Sequence, residues 1–230
     1  MQKVRSTCRQ LAVSFVLLTG LILFSYSALG SDVFASWNSL TLKTLDTEYV
    51  DLITSAETRF YDSEQGFRQA LIKQSVSTQP APYFAANVNY GFLPTRTAQD
   101  QGWIEEHRLE MEAVPRWRAN RDLTLEFRNR LELRWIENRS GLNERSRHRV
   151  KGILKVSGLD PVDSIFASEE VLLTYSDFWF QQNWLIPFGV TLKLHPKAKF
   201  SAYYMLQSAH VLEFEWRHAH IFGTDLSLSF

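Results

Sequence analysis

Residues 123–136 alternate without a break. One parity reads Leu123, Leu125, Phe127, Asn129, Leu131, Leu133 and Trp135. The other reads Thr124, Glu126, Arg128, Arg130, Glu132, Arg134 and Ile136. Successive strand side chains point to opposite faces, whereas a helix would scatter these residues at 3.6 spacing. The segment is therefore predicted to be a strand with one apolar and one charged face. Its length exceeds the ~5–6 residues usual in soluble sheets. It suits a tilted membrane strand, which needs about 9–11 residues for the hydrocarbon region. In lipid a sheet must close, because an open edge finds no hydrogen-bond partner there.

Weaker copies recur. Val50, Leu52, Thr54, Ala56, Thr58 and Phe60 oppose Asp51, Ser55, Glu57 and Arg59. His107, Leu109, Met111 and Ala113 oppose Glu106, Arg108, Glu110 and Glu112. Arg145, Arg147, Arg149 and Lys151 oppose Ser146, His148, Val150 and Gly152. Further strand candidates span about 33–43, 67–77, 83–93, 165–175, 181–194, 198–208 and 215–230, with the weakest patterns in 33–43 and 208–217. Turn chemistry separates them at Asp62–Gly66, Gln79–Pro82, Ser140-Gly141, Asp160-Pro161 and His195–Lys197. Segments of about ten residues between such turns are the signature of a membrane barrel. Single-chain bacterial barrels normally have an even strand number. The expected fold is all-β, an antiparallel transmembrane up-and-down β-barrel of 10 or 12 strands, with 12 preferred.

Both ends of the chain point to the envelope. Lys3, Arg5 and Arg9 precede an apolar run from Leu11 to Phe24, and small residues follow at Ala28-Leu29-Gly30. This is the layout of a secretory signal, and the run is short of the roughly 20 residues a spanning helix needs. Residues 1–30 are read as a signal peptide cleaved near Gly30, and residues 31–230 as the barrel domain. At the other end, Phe222, Leu226, Leu228 and Phe230 share a parity. A terminal aromatic on such a strand resembles the C-terminal sorting signal of bacterial outer-membrane barrels. That resemblance implies the outer membrane as location, with its lipid and the barrel-assembly machinery as partners.

Composition is compatible. Removing residues 1–30 leaves 22 basic against 25 acidic side chains, a net −3, and takes away Cys8, the only cysteine. A weakly acidic chain has no basic nucleic-acid footprint, so no nucleic-acid partner is expected. Modest hydropathy suits strands that are apolar on one face only.

Several phrases carry a family resemblance. Phe127–Arg134, Arg145-Ser-Arg-His-Arg149, Glu169-Glu170-Val171 and Gln182-Asn183-Trp184 with Gly189 resemble an uncharacterised family of small bacterial outer-membrane β-barrel proteins with Arg-x-Arg-rich strands. The chain departs at Trp184, where that family usually has Arg. The resemblance implies fold and location and no activity.

Chemistry is sparse. Outer-membrane lipid hydrolases resemble one another in placing Ser two residues after His on a strand, beside an Asn, Asp or Glu; the Ser needs a neighbouring base to become a nucleophile. None of His107, His148, His195, His210, His218 and His220 is followed by Ser at that spacing. Ser146-x-His148 has the reverse order, and its parity groups it with Val150, toward lipid. No catalytic residue is therefore assigned. His218-x-His220 puts two imidazoles on one face near Glu213 and Glu215, but a third metal ligand is not evident; it reads better as a polar strand start. No metal and no cofactor are expected.

The strongest constellation is the charged parity. Glu106, Arg108, Glu110, Glu126, Arg128, Arg130, Glu132, Arg134, Arg147 and Arg149 would share one lumen, with Glu57, Arg59, Glu112 and Lys151 beside them. Opposed charges on neighbouring strands are expected to pair. They would either ring a narrow selective pore or plug and brace the barrel. Two other classes compete: an outer-membrane lipid-modifying hydrolase, and a soluble periplasmic lipocalin-like barrel whose apolar face points inward. Trp37, Tyr49, Tyr61, Tyr83, Trp103, Trp117, Trp135, Tyr175, Trp179, Trp184 and Trp216 lie near strand ends, as expected of membrane-interface aromatics.

Overall fold

The computed structural model describes residues 33–62, 66–96, 102–175, 179–212 and 215–230. Residues 1–30, expected to form a signal peptide, Glu213, and the side chains of Trp179 and Glu215 lie outside the described residues. The chain forms β1 (Val33–Asp46), β2 (Asp51–Tyr61), β3 (Gly66–Ala81), β4 (Phe84–Arg96), β5 (Trp103–Arg118) and β6 (Leu123–Ile136). It continues with β7 (Asn143–Lys155), β8 (Val162–Thr174), β9 (Trp179–His195), β10 (Ala198–Leu212) and β11 (Glu215–Ser229). Consecutive strands pair antiparallel, and β1 pairs β11 to close the barrel. Among the described residues no helix is long and apolar enough to cross a membrane, which says nothing of strands.

The strand number is eleven, neither 10 nor 12. The reason is the seam. Eleven alternating strands leave the first and last running the same way, so β1 and β11 pair in parallel from Val33↔Ala219 to Lys43↔Ser229. A parallel ladder still satisfies the edge N–H and C=O groups, so closure does not demand an even count. Residues 33–43, among the weakest strand patterns in the sequence, supply that seam.

Alternation sets the facing. On β6 the even residues Arg130 and Glu132 are buried, whereas Phe127, Asn129 and Trp135 are exposed. A soluble barrel with an apolar interior would show the reverse. Large apolar side chains are exposed around the wall, among them Phe34, Ile72, Val88, Met111, Val150 and Phe222. Trp103, Trp117, Trp135 and Trp216 are exposed near strand ends, and Tyr49, Tyr83 and Tyr175 are exposed in the turns. Trp37 and Trp184 depart from the girdle expectation. Trp37, 3% exposed, packs inside against Met205 and Ile221, and Trp184 joins that cluster. The alternation of β1 is too weak to announce an inward Trp. On β11 the inward Ile221 is fully buried, which sends Phe222, Leu226 and Leu228 to the outer face. Phe230 is 69% exposed, and its N–H donates to Lys43 O at 3.2 Å.

A transverse row crosses the wall opposite the charged strands. Phe166 pairs Gly189, Gly189 pairs Tyr203, Tyr203 pairs Gly223, Gly223 pairs Trp37, and Trp37 pairs Arg59. Rings alternate with glycines. A Cβ at Gly189 would overlap the Phe166 ring, and one at Gly223 the Tyr203 ring. The glycines therefore let the rings lie flat on the wall, the aromatic covering of strand glycine that pins register.

Candidate functional site

The inward faces of β5, β6, β7 and β8 build one ion-pair network. Glu132 lies at its centre with no solvent exposure. Arg145 Nη2, Arg147 Nη1, Arg130 Nη1 and Arg108 Nη1 approach its carboxylate at 2.6, 3.2, 3.3 and 3.7 Å. Glu110, one strand away, meets Arg130 at 3.2 Å, Arg108 at 3.5 Å and Lys73 of β3 at 3.8 Å. Arg134 grips Glu106 through Nε and Nη2 at 2.7 and 2.8 Å, the two-pronged geometry in which a guanidinium binds a carboxylate best. Arg149 donates to Glu126 at 2.8 Å.

Like charges stand opposite one another in this ladder. Arg128 faces Arg149, Arg130 faces Arg147, Arg108 faces Arg134 and Glu110 faces Glu132. Directly opposed like charges destabilise a sheet, so the expectation of simple cross-strand pairs holds only in part. Opposite charges do face at Glu112↔Arg130 and Glu132↔Arg145. Shared partners resolve the rest: Glu106 accepts from both Arg108 and Arg134, and Arg130 lies between Glu110 and Glu132. Glu170 of β8 accepts from Arg128 of β6 at 2.7 Å and from Arg147 of β7 at 2.8 Å. The network is thus knitted across several strands rather than stacked pair by pair.

The predicted lumen residues are brought together, and three more join them. Arg145, Lys73 and Glu170 were not assigned to the lumen cluster. Glu170 is hard to place because Glu169 precedes it and the two occupy both parities. Cations also reach across to the aromatic wall: Arg147 lies over Trp184 at 4.3 Å, Arg59 over Trp37 at 3.8 Å and Lys151 over Phe166 at 4.1 Å. Where the resembling family usually has Arg, Trp184 offers a ring face to one, a favourable cation–π contact.

The outer wall carries a second polar group. Asn129 of β6 and His148 of β7 are direct ladder partners on the outward parity. His148 Nδ1 lies 2.9 Å from Asn129 Oδ1, and His148 Nε2 lies 3.3 Å from Ser146 Oγ. Sequence spacing alone pairs Ser146 with His148; only the β6–β7 register brings Asn129 to them. His218 and His220 face outward within β11 rather than starting a loop, touching Ser208 and Tyr204 respectively. Among the described residues no group of His, Cys, Asp and Glu could hold a metal ion.

Residues 34–217 match the family described as Protein of unknown function (DUF2490). The chain belongs to this family. The match runs from β1 to the start of β11 and so takes in the whole ion-pair network. No curated protein and no solved structure matches the chain.

Proposed function

We propose that this chain is a bacterial outer-membrane barrel whose lumen is sealed and braced by its ion-pair network, a structural envelope barrel rather than a channel. One observation carries the choice of plug over pore: Glu132 is shut off from water and surrounded by arginines from three strands. A conducting lumen would wet and screen such a group. Outer-membrane location is supported by the large apolar side chains on the outer wall and by exposed aromatics near its ends. A sealed lumen leaves the outer wall and the loops as the working surfaces.

Conductance of refolded protein in a planar bilayer tests this reading. Silence is expected from the native protein, whereas Glu132→Ala opens noisy conductance. Steady ohmic steps from the native protein would replace the plug with a pore. Cell fractionation tests location: recovery as a soluble periplasmic protein would sink the membrane reading.

A further inference from the structure

We propose that Ser146, His148 and Asn129 form an acyl-ester hydrolase site on the lipid-facing wall, acting on ester-linked acyl chains of membrane lipids. The inference rests on the membrane reading for its substrate and on geometry alone for its chemistry.

Asn129 Oδ1 can only accept a hydrogen bond. Its 2.9 Å contact therefore places the imidazole proton on His148 Nδ1. That leaves the lone pair of Nε2 facing Ser146 Oγ at 3.3 Å. This is the tautomer a general base needs, with nucleophile, base and orienting group in line. Three other outward imidazoles differ. His107, His218 and His220 each present Nδ1 to a hydroxyl, of Tyr90, Ser208 and Tyr204. A hydroxyl can donate or accept, so it imposes no tautomer.

The placement also asks for a reason. Polar side chains against hydrocarbon are costly and mark function. On β6 and β7 the three sit among Leu125, Phe127, Leu131, Leu133 and Val150, and a second polar pair, Asn183 donating to Glu169 at 3.1 Å, continues the same outer face across β8 and β9. Ser146 is 4% exposed, set between its cross-strand neighbours Leu131 and Leu173. Only a slim group reaches it, which favours an unbranched acyl ester presented from the bilayer.

In the reaction Ser146 Oγ bonds to the ester carbonyl carbon as its proton passes to His148 Nε2. The carbon–oxygen bond to the lipid alcohol breaks, and that alcohol leaves with the proton. Water then attacks the acyl-Ser146 ester, giving its proton to Nε2, and Ser146 regains it as the fatty acid departs. Asn129 is a positioning residue that holds the tautomer.

The test uses refolded full-length protein in mixed micelles of detergent and diacyl phosphatidylcholine. Fatty-acid release is measured alongside hydrolysis of a water-soluble butyrate ester. Folding of each variant is checked by heat-modifiable migration. Ser146→Ala is expected to abolish both activities, and His148→Ala to lower them by at least about 100-fold. Asn129→Ala should lower kcat with KM little changed, and Asn129→Asp should restore part of it. A long-chain sulfonyl fluoride should label Ser146 in the native protein and not in His148→Ala. Folded native protein that cleaves neither ester above the Ser146→Ala background overturns the triad. Cleavage of the soluble ester alone overturns the lipid assignment and keeps the triad. Flotation of the protein with lipid vesicles reports on the membrane reading separately.

Discussion

The two halves of the lumen wall hold the barrel together by opposite means. Strands β5–β8 are laced by charge, with Glu132 and Glu170 each gathering guanidinium groups from more than one strand. The wall of β9, β10, β11 and β1 is held by rings and short hydroxyl side chains: Trp37, Met205 and Ile221 form its apolar cluster, rings alternate with glycines across it, and Ser39 and Thr41 donate to Asp225 beside them. The charged half is stable only as a set, because any one carboxylate removed strands several buried cations. The aromatic half is additive in shape, since each ring needs only the glycine beneath it. A narrow barrel can therefore close on charge where strands carry long side chains and on close packing where they carry short ones.

Substitutions can break or sharpen this contrast. Glu132→Ala should have the largest effect, lowering stability by ~3–5 kcal/mol, the cost of leaving buried charge uncompensated. Urea unfolding in micelles measures it, and a loss below ~1 kcal/mol would mean that water already screens the network. Leu131→Arg tests the outer face of the same strand. An outward Arg in the apolar band is expected to cost ~2–4 kcal/mol, whereas Arg is native at the neighbouring inward position 130. Gly223→Ala should cost ~1–3 kcal/mol by overpacking against Tyr203, read by the same unfolding curve and by loss of near-ultraviolet circular dichroism. If Gly223→Ala outweighs Glu132→Ala, the aromatic half is the main brace and the ranking reverses. Lys199→Ala serves as the control. Its pair with Asp163 at 3.0 Å is half exposed on the Lys side, 50%, and its loss should cost about 1 kcal/mol or less. Adding salt should erase that difference while leaving the Glu132 effect largely intact, because buried pairs are poorly screened.

The charged half is legible in the sequence and the aromatic half is not. Long charged residues at every second position of 123–136 announce both the strand and its facing. On β1 the inward residues Ala35, Trp37, Ser39 and Thr41 differ little in polarity from outward Ser36 and Asn38, so Trp37 passed for an interface aromatic. Gly189 and Gly223 carry no parity signal at all, and the rings they seat become visible only with cross-strand register. Register was also what the outer-wall site required. Asn129 looks like an isolated polar residue on an outer face that any apolar group could replace, until the ladder sets His148 opposite it. The even-count rule misled because it presumes an antiparallel seam.

That seam has an evolutionary and engineering consequence. In a barrel of paired hairpins the two chain ends meet at one rim, so a short turn can join them and new ends can be cut at any loop. Here Val33 and Ser229 lie at opposite ends of the parallel β1–β11 pair. A linker joining them has to run the full height of the wall, outside the sheet. Circular permutation by a short turn is therefore closed to this fold, and a whole number of duplicated hairpins cannot by itself generate its eleven strands.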